Sequence, residues 1–294
     1  METKKIRIKI FTRSFSLELY TLSRTLYEGL EIPIVRLTDK SADGYFFSIL
    51  KDTECDVAIN IDEDAFLINP DALLELVNFV VEHNYANVGC PDGGMALRIF
   101  NPIITNPFFN VLNLKLIRTK LIGKNEINAF DYLTVCEEMK ARFPIHILKG
   151  RYDFKYTNQE PYYPFFFWLA YNFDTLYLPA ETHTDGISTI LYSPNKSQII
   201  CLHAWFARFY KMSLFAKIFL KKRGVQTQRI TNLITESYEL RQLPRPIFTT
   251  YDYLRFNADM LLRWSIKVPQ RIMGWPRKWA KWYRRWERKR QGAI

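Results

Sequence analysis

The chain of 294 residues is 48% apolar and 24% charged, values typical of globular proteins, which exclude wholesale disorder and collagen-like architectures. Its longest strongly apolar run, 164–173, is about half the length that a bilayer-spanning helix requires. The charged first residues lead into a predicted strand rather than a signal peptide, so we expect a cytoplasmic chain with its four scattered cysteines reduced.

The first ninety residues alternate between predicted strands and helices. Strands are predicted at 5–11, 34–37, 57–61 and 87–90, and helices at 15–30, 46–50 and 71–83. Residues 91–94, Pro-Asp-Gly-Gly, are predicted to form a turn. This alternation predicts an α/β domain with a mostly parallel sheet flanked by helices, in which ligands bind at the carboxyl ends of the strands.

The rest of the chain is more mixed and ends in a basic region. Strands are predicted at 145–148, 175–178 and 198–202, and an aromatic helix at 165–172. From Phe206 onward the pattern is helical and basic. We therefore predict an α/β domain over 1–207 and a basic, aromatic-rich helical extension over 208–294.

The net charge of +11 is unevenly distributed along the chain. Residues 267–294 hold ten Lys or Arg and one acid, and residues 208–229 hold seven bases and no acid. Residues 1–207 have a net charge of −5. The positive charge thus belongs to the last third of the chain, which indicates a separate role for that region.

Three acids, Asp62, Glu63 and Asp64, follow directly on the predicted strand 57–61. They therefore lie at the carboxyl end of a buried strand, and Asp62 and Asp64 project to the same side if the backbone stays extended. Two converging carboxylates repel each other unless a cation lies between them, and Mg²⁺ or Mn²⁺ suits such oxygen ligands. The alternative is a solvated acidic loop that caps the next helix.

The segment 56–76 resembles the Asp-x-Asp region of nucleotide-sugar glycosyltransferases of the GT-A fold, which is Rossmann-like. Three later segments resemble the glycogenin and lipopolysaccharide-galactosyltransferase branch of that family: 106–115, with Asn106; 158–160, Asn-Gln-Glu before an aromatic helix; and 199–203, a strand ending in His203. The resemblance covers about residues 5–210. It implies a GT-A catalytic domain that transfers a sugar from a nucleotide-diphosphate donor.

The resemblance also implies roles for individual residues. Asp62, Asp64 and His203 are expected to hold Mn²⁺ or Mg²⁺. The nucleotide sugar is expected to contact Thr12, Arg13, Asp39, Asp62, Glu63, Asn106 and Arg208. The candidate catalytic residues are Glu160, Asp131 and Gln159; a carboxylate base is needed only if the reaction inverts the sugar configuration. His183 and Asp185 lie in a polar turn, which is either an alternative site or an ordinary surface turn.

Tryptophans at 275, 279, 282 and 286 fall on one face of a predicted C-terminal helix, and Lys and Arg cover the rest. This pattern is typical of a helix lying in a membrane interface, and the basic segment 213–223 has a similar pattern. We predict that 272–290 contacts an anionic membrane surface, which suits a glycan or lipid-linked acceptor. The alternative is that the Trp face packs on the α/β domain.

Three other functions remain open at this point. The basic aromatic tail also suits nucleic acid, but the acidic charge of 1–207 makes that partner unlikely. A sugar nucleotidyltransferase uses a related fold but carries a Gly-rich loop after the first strand, whereas residues 12–15 here lack glycine. A non-catalytic scaffold would lack metal affinity at the acidic triplet.

Overall fold

The computed structural model describes residues 6–38, 44–95, 97–157, 160–207, 210–211 and 223–262. In chain order its strands are β1 (Ile8–Arg13), β2 (Ile34–Leu37), β3 (Val57–Ile61), β4 (Ala65–Leu67), β5 (Asn87–Gly89), β6 (Gly93–Met95), β7 (Arg98–Ile99), β8 (Phe109–Asn113), β9 (Thr175–Tyr177), β10 (Ala180–Thr182), β11 (Thr189–Tyr192) and β12 (Ile199–His203). The helices are α1 (Leu17–Thr25), α2 (Gly44–Leu50), α3 (Pro70–Glu82), α4 (Leu114–Ile117), α5 (Lys124–Asn128), α6 (Cys136–Arg142), α7 (Tyr163–Asn172) and α8 (Arg223–Arg241). Residues 250–262 are also helical.

The central sheet has six strands in the order β2-β1-β3-β8-β5-β9. β1 is parallel to β2 and β3, and β5 is parallel to β9, whereas β8 is antiparallel to β3 and β5. Five strands therefore share one direction. β3 is buried along its whole length, as expected of an apolar strand covered on both faces. The predicted α/β class with a mostly parallel central sheet is confirmed, and its arrangement is compatible with a Rossmann-like fold.

A second, antiparallel sheet has the strand order β10-β11-β12-β4. Only three residues, the acidic triplet, lie between the end of β3 and the start of β4, so the triplet forms the connection between the two sheets. In the pairing of β12 with β4, His203 lies opposite Ala65. This register brings the end of β12 next to Asp64, although 139 positions separate the two residues in the sequence.

Helix α3 shows how local sequence sets an element boundary. Asn69 precedes the helix, and its side chain accepts a hydrogen bond of 3.0 Å from the Ala72 N–H. Pro70 follows in the first turn, where its missing N–H costs nothing. Leu73, Val77 and other apolar residues at helical spacing are buried against the core.

Helix α7 is the aromatic element of the core. Its side chains are buried nearly all round, which is the pattern of an internal helix rather than an amphipathic one. Phe165 stacks on Phe46 of α2 with ring centroids 5.2 Å apart, and Phe167 stacks on Tyr132 at 3.8 Å. These contacts fix the position of the 130–135 segment, which borders a pocket described below.

Two local predictions are wrong. Residues 145–148 do not form a strand, because Ile145–Ile147 forms a short 3-10 turn in which the Leu148 N–H bonds the Ile145 carbonyl. Residues 91–94 are not a simple turn, because Pro91 bridges Thr105 and the two glycines belong to β6, which pairs with β7. Gly94 adopts a φ of +80°, a left-handed backbone that favours glycine.

The chain divides into two compact units, one with the described residues of 1–14 and 19–246, and one with 15–18 and 247–262. The predicted boundary after residue 207 differs from this division. Helix α8 belongs to the first unit because Ile230, Leu233 and Ile234 are buried, and because the Tyr238 hydroxyl donates a 2.7 Å hydrogen bond to the Leu22 carbonyl.

Several predictions concern residues outside the described ranges. These are Asp39, Gln159 and Arg208, most of the segment 213–223, and the Trp-bearing segment 272–290. Among the described residues, no helix is long and apolar enough to cross a bilayer.

Candidate functional site

The carboxyl ends of the five parallel strands lie at one edge of the central sheet. The amino end of β8 lies there too, because that strand runs in the opposite direction. Arg13 ends β1, Asp62 follows β3, and Asp92 lies three residues after β5. The Asp62 N–H donates to the Phe108 carbonyl at 2.9 Å, which joins the acidic triplet to the start of β8. This edge is where the sequence predicted the ligand site.

Arg13 and Asp62 form a nearly buried ion pair. The Arg13 Nη2 lies 2.8 Å from the Asp62 Oδ2, and the Asp62 side chain is 10% exposed. The Arg13 guanidinium also lies 5.3 Å from the centre of the Tyr45 ring. Two of the predicted donor-binding residues are therefore brought together by the parallel pairing of β1 with β3.

Asp64 and His203 form a second pair. The His203 Nε2 lies 3.6 Å from the Asp64 Oδ1, and the Ala204 N–H donates to the Asp64 carbonyl at 2.8 Å. The His203 ring stacks on Phe108 with centroids 4.1 Å apart and contacts Trp205 at 4.4 Å. The imidazole is thus held between two aromatic rings and faces the acidic triplet.

The backbone after His203 is strained. Trp205 and Phe206 have φ values of 52° and 60°, which bulky residues rarely adopt. Hydrogen bonds hold Trp205 in place: its Nε1 donates to the Thr189 Oγ1 at 2.8 Å, and its carbonyl accepts from the Arg229 Nη2 at 2.9 Å. Strain of this kind persists where the surrounding structure fixes it, which is common at functional sites.

The two aspartates have opposite pKa shifts. Burial raises the pKa of Asp62, the charge of Arg13 lowers it and that of Asp64 raises it, with a net increase. Burial also raises the pKa of Asp64, but the adjacent His203 and the charge of Arg13 together lower it, so that this pKa lies below its ordinary value. Two buried acids that share too little positive charge behave in this way, because ionisation of one opposes ionisation of the other.

Glu63, the middle acid, has a different environment. Its carboxylate accepts a hydrogen bond of 2.7 Å from the Ser14 Oγ, which in turn accepts one of 2.9 Å from the Arg36 Nε. Glu63 is 5% exposed. It therefore ties the ends of β1, β2 and β3 together, and its predicted contact with a nucleotide sugar stays a prediction.

The side-chain oxygen atoms of the acidic triplet and the imidazole nitrogen atoms of His203 are of the chemical types that bind divalent cations. The Asp62 Oδ1 and the His203 Nδ1 are buried and have no hydrogen-bond partner among the described residues. Carboxylate oxygen and imidazole nitrogen are ligands of Mn²⁺, and carboxylate oxygen is a ligand of Mg²⁺. Within the described ranges, however, no three His, Cys, Asp or Glu side chains converge as a metal site would require.

A second acid at the same edge, Asp92, was missed by sequence reasoning. It is fully buried and accepts hydrogen bonds from Arg98 at 2.9 and 3.2 Å, from the Tyr163 hydroxyl at 2.8 Å and from Asn106. Arg98 also donates to the Tyr162 hydroxyl at 2.8 Å. One feature of the sequence could have indicated this acid: Asp92 follows the predicted strand 87–90 closely. It lies, however, in the segment 91–94, which was predicted to be a turn.

Asn106, predicted to contact the nucleotide sugar, is 3% exposed and belongs to this Asp92 cluster. Its side-chain amide nitrogen donates to Asp92, and its side-chain Oδ1 accepts from the Phe108 N–H at 3.1 Å. Asn106 thus positions Asp92 and the start of β8 in this structure. Thr12, another predicted contact, is fully buried within β1.

The two candidate bases, Asp131 and Glu160, line one pocket although 29 positions separate them. Asp131 caps a short 3-10 turn by accepting from the Leu133 N–H at 3.1 Å. Glu160 is 44% exposed at its side chain, and its Oε1 lies 3.9 Å from the Arg98 Nη1. Neither carboxylate contacts Asp64 or His203 directly.

The polar turn with His183 and Asp185 packs on α8. The His183 Nε2 lies 3.0 Å from a Glu236 oxygen, and the Asp185 Oδ2 lies 3.2 Å from the Arg229 Nη1. Asp185 also accepts from the Ser188 Oγ at 2.6 Å. These contacts join the β10–β11 turn to the helix.

No protein-family model and no curated protein matches the chain. Among solved structures it is similar to A197 from STIV, with a TM-score of 0.35, 12% identity, and coverage of 66% of this chain and 93% of that one. It is also similar to the mannosyltransferase PcManGT from Pyrobaculum calidifontis in complex with GDP-Man and Mn²⁺, with a TM-score of 0.31, 10% identity, and coverage of 51% and 55%. TM-scores of this size do not define a shared fold, so the functional argument rests on the chain's own side chains.

Proposed function

We propose that the protein is a metal-dependent glycosyltransferase of the GT-A type, which moves a sugar from a nucleotide-diphosphate donor to a glycan or lipid-linked acceptor. One observation carries the proposal: the pairing of β12 with β4 brings His203 within 3.6 Å of Asp64. Two positions earlier in the acidic triplet, the Asp62 Oδ1 is buried and has no hydrogen-bond partner among the described residues. An acid and an imidazole from distant segments thus meet next to the sheet edge where α/β proteins bind ligands.

In this proposal Asp62, Asp64 and His203 are the protein ligands of Mn²⁺ or Mg²⁺. These residues would hold the ion, which would add positive charge beside the buried acids and would supply Lewis-acid chemistry toward the leaving diphosphate. Arg13 already neutralises Asp62, and its guanidinium is suited to phosphate oxygens at the same edge.

Glu160 is the first candidate for the base that deprotonates the acceptor if the reaction is inverting, and Asp131 is the second. Both line a pocket next to Arg98, which supports a role on the acceptor side of the site. A retaining reaction needs no such base.

We further propose that the C-terminal region holds the enzyme at an anionic membrane surface. The helix at 250–262 supports this, because Tyr251, Leu254 and Leu261 lie on one helical face and are 68%, 64% and 66% exposed. The basic residues of 272–290 follow directly in the sequence. Co-sedimentation with phosphatidylcholine vesicles, with and without phosphatidylglycerol, tests this location.

A pair of matched variants sharpens the vesicle test. Leu254→Asp should reduce sedimentation with anionic vesicles, whereas Met260→Asp, on the opposite side of the helix, should reduce it much less. Equal binding to neutral and anionic vesicles, or equal effects of the two substitutions, would contradict the proposed membrane contact.

The test of the catalytic proposal is isothermal titration of UDP and of GDP, each with and without Mn²⁺. We expect metal-dependent binding of one nucleotide to the wild-type protein and a loss of at least about tenfold in affinity in Asp64→Asn. The control is Asp174→Asn, an exposed acid before β9 at the opposite edge of the sheet. Absence of nucleotide binding in a folded protein with Mn²⁺ present would refute the proposal.

A further inference from the structure

A pocket of about 440 Å³ opens between the end of α5, the 130–133 turn and the start of α7. Its volume lies in the range of roughly 300–1,000 Å³ that is typical of small-molecule sites. The walls combine apolar and polar groups: Phe130, Leu133 and Tyr163 on one hand, and Asp131, Thr157 and Glu160 on the other.

The charge of the pocket limits what it can bind. Two carboxylates line it, and none of its described lining residues is a Lys or Arg. A phosphate group would be repelled there, which disfavours the nucleotide part of a donor. Carboxylates and a hydroxyl are instead good acceptors for the hydroxyl groups of a neutral ligand.

The apolar walls favour a ligand with a flat C–H face. Phe130 is half-buried, with its ring 5.4 Å from that of Tyr171, and Leu133 is 57% exposed. Tyr163 is held by its hydrogen bond of 2.8 Å to Asp92. A pyranose ring fits both requirements, because its C–H face packs on apolar side chains while its hydroxyls donate hydrogen bonds outward.

A short series of contacts links the pocket to the acidic triplet. The Glu160 Oε1 lies 3.9 Å from the Arg98 Nη1, and the Arg98 guanidinium carbon lies 5.5 Å from the centre of the Trp205 ring. Trp205 in turn contacts His203 with ring centroids 4.4 Å apart. In this series, the side chains of Arg98 and Trp205 lie between Glu160 of the pocket and the His203–Asp64 pair.

We propose that this pocket binds a pyranose unit of the acceptor glycan, with Asp131 and Glu160 accepting hydrogen bonds from its hydroxyls. That the sugar is an acceptor rests on the proposed glycosyltransferase function; that the pocket binds a neutral sugar rests on its own lining. Arg98 lies 3.9 Å from the Glu160 carboxylate, so Glu160 is a pocket residue that lies next to the Asp92 cluster.

The test is saturation-transfer NMR with the methyl glycosides of mannose, glucose and galactose. We expect transfer to at least one of the three with the full-length wild-type protein, and at least a fivefold weaker signal in the double variant Asp131→Asn, Glu160→Gln. Both substitutions preserve shape, and Asn keeps the cap at residue 131. The control is Glu137→Gln, an exposed acid on α6 outside the pocket, which should give the wild-type signal.

Mn²⁺-dependent nucleotide binding, measured on the same variants, separates this proposal from the proposed function. It should be unchanged in the double variant. Sugar binding without any nucleotide binding would leave the pocket assignment standing and overturn the transferase. Absence of transfer to all three glycosides, or equal transfer in the wild-type protein and the double variant, would overturn the pocket assignment whatever the nucleotide does.

Discussion

Two aspartates at the same edge of the central sheet differ in whether both of their carboxylate oxygens have hydrogen-bond or ion-pair partners. Asp92, after β5, is fully buried and accepts hydrogen bonds from Arg98, Asn106 and Tyr163. Asp62, after β3, pairs with Arg13 through one oxygen, while its other oxygen is buried without a partner among the described residues.

This difference is consistent with a structural role for Asp92 and with the proposed ligand-binding role for Asp62. A buried charge with a full set of partners contributes to the fold, and removing it leaves those partners unpaired. A buried carboxylate oxygen without a partner costs free energy that a bound cation would recover. The Asp92 cluster is therefore expected to stabilise the edge at which we propose that Asp62, Asp64 and His203 bind a metal ion.

The largest effect is expected from Asp92→Ala. It leaves the Arg98 guanidinium, whose side chain is 17% exposed, without its carboxylate, and should lower the free energy of unfolding by about 3–5 kcal/mol. Urea unfolding followed by fluorescence measures the change, and Asp174→Ala is the exposed control. A loss below about 1 kcal/mol would remove the distinction between the two acidic groups.

A smaller loss is expected from Asn106→Ala, which removes the amide that donates to Asp92 and the oxygen that accepts from the Phe108 N–H. The free energy of unfolding should fall by about 1–3 kcal/mol. Titration with nucleotide and Mn²⁺ sharpens the comparison. An affinity close to that of the wild-type protein indicates a structural asparagine, whereas a large loss of affinity with normal stability would make it a donor contact.

The smallest effect is expected from substitution of Asp185, whose carboxylate has several hydrogen-bond partners and lies closer to solvent than that of Asp92. Burial raises its pKa, but hydrogen bonds from Ser188 and Ile187 and the contact with Arg229 lower it to about 2. Because the folded pKa lies below the unfolded one, the stabilisation is present above about pH 4 and is lost as the pH falls through about 2. Solvent screening limits it to about 1 kcal/mol.

Asp185→Asn tests this pH dependence. Relative to the wild-type protein the variant should be less stable near neutral pH, and the difference should shrink as the pH is lowered from about 4 to about 2. Chemical unfolding at a series of pH values measures it. A difference that does not change across that interval would show that the carboxylate charge has no role in holding the β10–β11 turn on α8.

Local patterns sufficed to predict much of the fold. The apolar run 57–61 predicted β3 with its observed bounds, and residues 34–37 predicted β2 in the same way. That Asp64 and His203 lie close together was implied by the resemblance to GT-A glycosyltransferases rather than by local patterns, and the structure places the His203 Nε2 3.6 Å from the Asp64 Oδ1.

Other features depend on long-range pairing that no local pattern contains. Residues 91–94 have the composition of a turn, and only the bonds from Arg98, Asn106 and Tyr163 make Asp92 a structural centre. The meeting of Asp131 and Glu160 in one pocket depends on the packing of the 130–133 turn against α7. The apolar run 145–148 begins with a short 3-10 turn over Ile145–Ile147, so its apolar pattern alone was misleading.

The most direct test of the account is a Mn²⁺ titration followed by electron paramagnetic resonance, in the presence of the nucleotide that binds. We expect the wild-type protein to remove free Mn²⁺ from solution. Asp64→Asn and His203→Gln should each weaken this binding by at least about tenfold, and Glu137→Gln should leave it unchanged. Equal Mn²⁺ binding by the wild-type protein, Asp64→Asn and His203→Gln would show that the acidic triplet and His203 are not a metal site.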